Sequence, residues 1–234
     1  MKKEKDEMWA VKFYRIFSKP LTKLLLHTPL TANQISLTMI CFGIASAIFF
    51  IMNSYYLAIL YLFIFFVLDC SDGEVARAKN QQSLRGEYLD QLAHGIIHPL
   101  ILFSIGLGLS IKFNSITFFL AGSLAAFLTL LIMYLNLSKV YVKLKSNKKH
   151  VATTTNELKE DIQNKFKGKL MQIIIQVIKS CFDVFDMFVL FFIILGAIFF
   201  NVLNWFIIIY ALLLIPVTLL LIALHIIFSF GDKK

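Results

Sequence analysis

Apolar residues in this chain collect in blocks of roughly 16 to 25 residues, and a helix needs about 20 to cross the hydrocarbon core of a bilayer. Residues 8–26 mix Trp, Phe and Leu with Lys12, Arg15, Lys19 and Lys23, which suits an amphipathic helix lying in a membrane surface, with Pro20 expected to break or kink it. A first span is expected from about Gln34 to Met52, with Thr31 or Asn33 as its N-cap. A turn at Asn53-Ser54 leads to a second span, Tyr56 to about Leu68. That run is short before Asp69, so the acidic residues after it begin at or inside the interface. A polar stretch reaches Glu87, and a third span ends near Ile111. Lys112-Phe113-Asn114 turns the chain into a fourth, Ile116 to Leu137. Residues 138–169 are a long polar insert with a helical start at Asn156-Glu157. Two further spans, 184–201 and 203–228, meet at a turn near Asn201. The expected fold is an all-α integral membrane protein, with six transmembrane helices preceded by an N-terminal amphipathic surface helix. With no internal repeat or low-complexity linker, residues 1–234 read as a single domain.

Composition agrees: 59% of the 234 residues are hydrophobic and 16% charged, against about half and a quarter in soluble domains. The 24 phenylalanines read as lipid-facing bulk. The net charge of +9 raises the question of nucleic acid, which its distribution answers. Of 23 Lys and Arg, seven fall in residues 1–26, three in 77–85, nine in 139–169 and two at the C-terminus. Basic residues thus occupy alternate loops, a topology signal that places both termini in the cytoplasm and gives no nucleic-acid partner. No apolar run with a small-residue cleavage site follows the polar opening closely, so a cleaved leader is not expected. Cys41, Cys70 and Cys181 are scattered and form no disulfide framework.

Five of the 14 acidic residues lie within 22 positions: Asp69, Asp72, Glu74, Glu87 and Asp90. On a helix, Asp69 and Asp72 share a face, as do Asp90 and His94, with Gly86 one turn earlier. If the second and third spans pack together, three carboxylates and an imidazole converge near the interface. Carboxylates that close repel unless protons or cations intervene, and oxygen-rich clusters suit Mg²⁺ or Mn²⁺. Arg77 offers a fixed fork to a phosphate, and Gly73, Ala76 and Gly86 are small enough for close approach of a ligand or helix. The set reads as a phosphate and metal site at the membrane surface; the alternative is an interfacial loop whose charges face water.

The run Asp69-x2-Asp72-Gly73-x2-Ala76-Arg77-x8-Gly86-x3-Asp90-x3 resembles the signature of the CDP-alcohol phosphotransferase family, matching seven of its eight fixed positions. Leu30-Thr31-Ala32-Asn33-Gln34-Ile35 is similar to the family's stretch before the first span, often Thr-Pro-Asn, with Ala32 here in place of proline. The resemblance implies that a phosphatidyl or phospho-headgroup moiety passes from a CDP-linked donor (CDP-diacylglycerol or a CDP-alcohol) to an alcohol acceptor, with release of CMP. It implies that Asp69, Asp72, Asp90 and His94 hold one or two Mg²⁺ or Mn²⁺ ions. Asn33, Asp69, Asp72, Gly73, Ala76, Arg77 and Gly86 would bind the nucleotide. It further implies a homodimer, while the basic loops put the site at the cytoplasmic face and its opening at a bilayer surface favours a lipid product. The family's last position is an aspartate acting as general base, and this chain has His94. Imidazole titrates near 6.5, so it can accept a proton at neutral pH; it also ligates metals, favouring softer ions than Mg²⁺. His94 therefore reads as the catalytic base, as a ligand of an altered metal site, or as the mark of a silent nucleotide-binding relative.

Lys179, Asp183 and Asp186 precede the fifth span at helical spacing, as a surface ion pair or as part of an acceptor site. Arg85, Lys79 and the basic insert either set topology or attract anionic lipid or a phosphorylated acceptor. His98 and His225 read as packed structural histidines, His98 hydrogen-bonded. A transporter or channel would scatter polar residues across mid-membrane, whereas the ionisable groups here gather mostly at one face. A soluble-polyol or sugar phosphotransferase of the same family stays open.

Overall fold

The computed structural model describes residues 9–146 and 187–231, and among these every regular element is a helix. The helices are α1 (Trp9–Leu26), α2 (Ala32–Ile51), α3 (Tyr55–Ala78), α4 (Leu84–Phe113), α5 (Ile116–Ser146), α6 (Met187–Phe199) and α7 (Leu203–Gly231). Five of them (α2, α3, α4, α7 and α5 as far as Leu135) are long and apolar enough to cross a membrane. The protein is thus an all-α integral membrane protein. The expected fifth span is represented by α6, of which the 13 residues Met187–Phe199 are described. The polar insert, with its helical start at Asn156-Glu157, lies outside the described residues, as do Lys179, Asp183 and Asp186 and the side chain of His225.

Local chemistry sets the helix ends. Thr31, rather than Asn33, caps α2: its hydroxyl accepts from Gln34 N at 3.4 Å, while Gln34 Oε1 accepts from Thr31 N at 2.9 Å. This reciprocal box satisfies two of the amide donors that every helix start leaves unpaired. It also leaves the Asn33 side chain free for other use. Between helices the chain reverses through Asn53, Asn80, Asn114 and Asn201, all at positive φ between 49° and 57°. Among non-glycine residues, asparagine tolerates that left-handed conformation best.

Two expectations are corrected here. The helix α1 runs through Pro20 without a break. The intrahelical bond that Pro20 cannot make would have gone to the carbonyl of Ile16, on the exposed face. The second span does not end near Leu68, because α3 continues helically to Ala78. Asp69 and Asp72 are therefore on a rigid helix, with their backbone groups satisfied within it.

The helix α2 packs against both α3 and α4, α4 against α5, and α5 against α7, while α1 lies along α3. Where α4 crosses α5, a Cβ at Gly106 would stand 2.6 Å from the Cα of Gly122, so two glycines allow the backbones to touch. Phenylalanine is not only lipid-facing bulk. Phe50, Phe65 and Phe66 are fully buried, and Tyr14 of α1 packs against Phe63, Phe66, Phe188 and Phe191.

Polar contacts complete the seat of α1. Ser18 and Thr22, both buried, donate to the Glu74 carboxylate at 3.1 and 2.7 Å. Lys79 Nζ donates to the carbonyls of Thr28 and Leu30, each at 2.8 Å, on the segment that follows α1. Glu74 thus belongs to the α1 seat rather than to the acidic site, and Lys79 is engaged by carbonyl oxygens rather than offered to lipid or acceptor.

Candidate active site

The site forms where the C-terminal end of α3 meets the N-terminal halves of α2 and α4. Helical spacing puts Asp69 and Asp72 on adjacent turns of α3, and Asp90 and His94 on adjacent turns of α4. Packing then closes the gap between helices. His94 Nε2 lies 3.0 Å from Asp69 Oδ1 and 3.5 Å from Asp90 Oδ1. Phe65 meets the imidazole edge-on, with centroids 5.9 Å apart, which limits how the ring can turn.

Asp72 stands apart from that trio. It is buried, and Ser36 Oγ, also buried, lies 2.6 Å from its Oδ2. The hydroxyl also lies 3.2 Å from the carbonyl of Ala32, but its one proton goes to the nearer acceptor, the carboxyl oxygen. The other Asp72 oxygen is left for the cleft beside it.

That cleft has a volume of about 330 Å³. Asn33, Asp72, Gly73, Ala76, Arg77, Gly86 and Asp90 all line it, so every motif residue except Asp69 shares one concave surface with Asn33. Asp69 and His94 do not line it; Asp90 joins their cluster to the cleft. Gly86 packs closely against its neighbours: a Cβ there would sit 3.3 Å from Asn33 Oδ1 and 3.4 Å from Ser83 Oγ, so the Asn33 side chain would have to shift slightly to admit one. Arg85 is exposed one residue away and is not among the lining residues.

The cleft also contains Glu87 of the acidic run, together with Ser36, Gln81, Gln82 and Ser83, which the sequence did not single out for the site. Ser36 carried a signal, as a polar residue one turn from Asn33 in an apolar span. Gln81 and Gln82 fall in the unspecified part of the motif, where residue type alone carried none. His98, one turn beyond His94, is buried as expected, but its Nε2 has no hydrogen-bond partner among the described residues.

The donor set can be tested against a divalent cation. One ligand atom each from Asp69, Asp90 and His94 lies within 4.8 Å of the others. Adjacent ligands on an octahedral ion with bonds of about 2.1 Å stand about 3.0 Å apart, close to the 3.0 and 3.5 Å separations found here. Two carboxylates and an imidazole therefore fit one small cation, with Asp72 facing the cleft alongside.

Comparison with known proteins gives one result. No curated protein matches the chain. The family model for CDP-alcohol phosphatidyltransferases matches residues 29–230, which covers α2 to α7 and the whole acidic site. The chain belongs to the CDP-alcohol phosphatidyltransferase family, transferases that move a phosphoalcohol from a CDP-alcohol.

Proposed function

We propose that this protein transfers a phosphatidyl or phospho-headgroup moiety from a CDP-linked donor to an alcohol, making a phospholipid and releasing CMP. The observation that carries the reading is the convergence of Asp69, Asp90 and His94 beside a cleft lined by Asn33, Asp72, Gly73, Ala76, Arg77 and Gly86.

In this reading Asp69 and Asp90 hold a divalent cation beside His94, with Asp72 completing the set from the cleft. When bound, Mg²⁺ or Mn²⁺ neutralises the diphosphate and polarises its oxygens. Ser36 holds Asp72 in one rotamer, so its free oxygen is placed before substrate arrives. Arg77 offers its planar fork to phosphate oxygens. Gly86 keeps α4 close to Asn33, narrowing the nucleotide end.

The acceptor oxygen forms a bond to the phosphorus distal to cytidine. The bond from that phosphorus to the bridging oxygen breaks, and CMP leaves with the electron pair. The acceptor proton passes to His94, the nearest base to Asp69 and Asp90. A second reading, in which His94 acts chiefly as a metal ligand, is favoured by the same separations of 3.0 and 3.5 Å.

The orientation proposed puts the site on the cytoplasmic side. Arg77, Lys79 and Arg85 lie at its end of the bundle, whereas the turns at Asn53-Ser54 and Asn201 carry no charge. The deciding experiment incubates purified protein with a panel of CDP donors and alcohols, in Mg²⁺ and in Mn²⁺, and follows CMP. Metal-dependent CMP release with one donor–acceptor pair is expected; the absence of CMP from every pair would sink the catalytic reading.

A further inference from the structure

We propose that Gln81 is a nucleotide-binding residue whose carboxamide is oriented by the backbone N–H of Ala32, so that its NH₂ group serves the ligand of the cleft. This inference rests on the reading of the cleft as the CDP-donor site.

Ala32 is the first residue of α2, and its amide is one of the four that a helix start leaves without an intrahelical partner. Here it donates to Gln81 Oε1 at 3.1 Å, across 49 positions of chain. The two ends of a carboxamide are hard to tell apart by shape alone, and the hydrogen-bond network must assign them. The Ala32 amide can only donate, so the atom facing it is the oxygen. The two N–H donors of Gln81 then lie on the other branch of the amide.

Gln81 lines the cleft together with Asn33, Ser36, Ser83, Asp72 and Asp90. The carboxylates offer acceptors only, and so suit the cation. Gln81 offers neutral donors, which suit an acceptor atom on the nucleotide: a pyrimidine carbonyl or ring nitrogen, or a phosphate oxygen. Its backbone is already anchored, since Gln81 N donates to Ala76 O at 2.8 Å. The amide is thus fixed at both its own backbone and its side-chain oxygen before any ligand arrives, which lowers the ordering cost of binding.

Three substitutions separate the parts. Gln81→Leu removes acceptor and donors together. Gln81→Glu keeps an oxygen for Ala32 but removes both donors. Ala32→Pro removes the N–H while adding two ring carbons at the cleft wall, and the backbone accepts proline: it is the first residue of a helix, and Thr31 before it is already extended at φ −86°, ψ 157°.

Binding of CMP, uncharged cytidine and inorganic pyrophosphate to the full chain in nanodiscs is measured by calorimetry. We expect Gln81→Leu and Gln81→Glu each to weaken CMP about tenfold and Ala32→Pro a few-fold. The double variant Ala32→Pro/Gln81→Leu should bind no more weakly than Gln81→Leu alone. With the CDP donor, KM should rise while kcat holds. A loss shared by CMP and cytidine assigns the base as partner, and one shared by CMP and pyrophosphate assigns the phosphate; either supports the proposal. Unchanged CMP affinity in Gln81→Leu overturns it. If the unsubstituted protein binds no CMP, the functional reading itself fails, a result distinguishable from the first.

Discussion

One nitrogen of His94 faces two carboxylates from two helices, at 3.0 and 3.5 Å, and this atom is where the chain departs from the pattern it otherwise follows. The expected outcome for His94→Ala is loss of CMP release by at least about a hundredfold, the usual range for a positioned base or ligand. His94→Asp should retain measurable transfer. Mn²⁺ binding followed by electron paramagnetic resonance separates the two roles. A pure base leaves the Mn²⁺ affinity of His94→Ala intact, whereas a ligand adds a nitrogen coupling that vanishes in the variant. Ser36 gives a second prediction. A buried hydroxyl bonded to a carboxylate contributes about 1.5–3 kcal/mol, so Ser36→Ala should lower kcat/KM roughly ten- to hundredfold, and Ser36→Thr should restore part of it. If Ser36→Ala were fully active, Asp72 would not depend on that hydroxyl. The motif residues were legible in the sequence because their chemistry lies in residue type and short spacing. Gln81 was not, and Ser36 showed only as a polar residue in an apolar span, because their contacts, to Ala32 and to Asp72, join positions 49 and 36 residues apart, distances that local pattern does not encode.

At the scale of elements, α3 shows why hydrophobicity marks a span but not a helix. The apolar run stops near Leu68, yet ten further residues to Ala78 stay helical, because charged residues such as Glu and Arg are good helix formers. The start of α2 was legible from Thr31 and Gln34, and the turns at Asn53, Asn114 and Asn201 from asparagine itself. The roles of Glu74 and Lys79 were not: both lie in the motif's unspecified positions, and both turned from site candidates into fastenings for α1. Glu74→Ala would leave the buried hydroxyls of Ser18 and Thr22 without their shared acceptor. A loss of about 1–3 kcal/mol is expected, read as a lowered melting midpoint in detergent, with the distances among Asp69, Asp90 and His94 unaffected. An unchanged midpoint would mean that the aromatic packing around Tyr14 alone seats α1.

For the molecule as a whole, the all-helical membrane class and the family were both legible, since long apolar blocks and a spaced motif survive without coordinates. Of the expected fifth span, 184–201, the described residues show α6 over Met187–Phe199. Sidedness can be checked in sealed proteoliposomes on a background without Cys41, Cys70 and Cys181. Gln82→Cys and Ser54→Cys lie beyond opposite ends of α3, so a membrane-impermeant maleimide should reach them from opposite sides, with Gln82 on the side that supports CMP release. Labelling of both from one side would refute the arrangement. The fastening of α1 has a consequence at this scale. Glu74 is five residues from Asp69, about 7.5 Å along a helix, so a surface helix carrying Lys12, Lys19 and Lys23 is clamped within two turns of the reacting groups. In the proposed reaction, the depth at which that helix lies at the membrane surface sets, like a waterline, the height at which donor and acceptor meet.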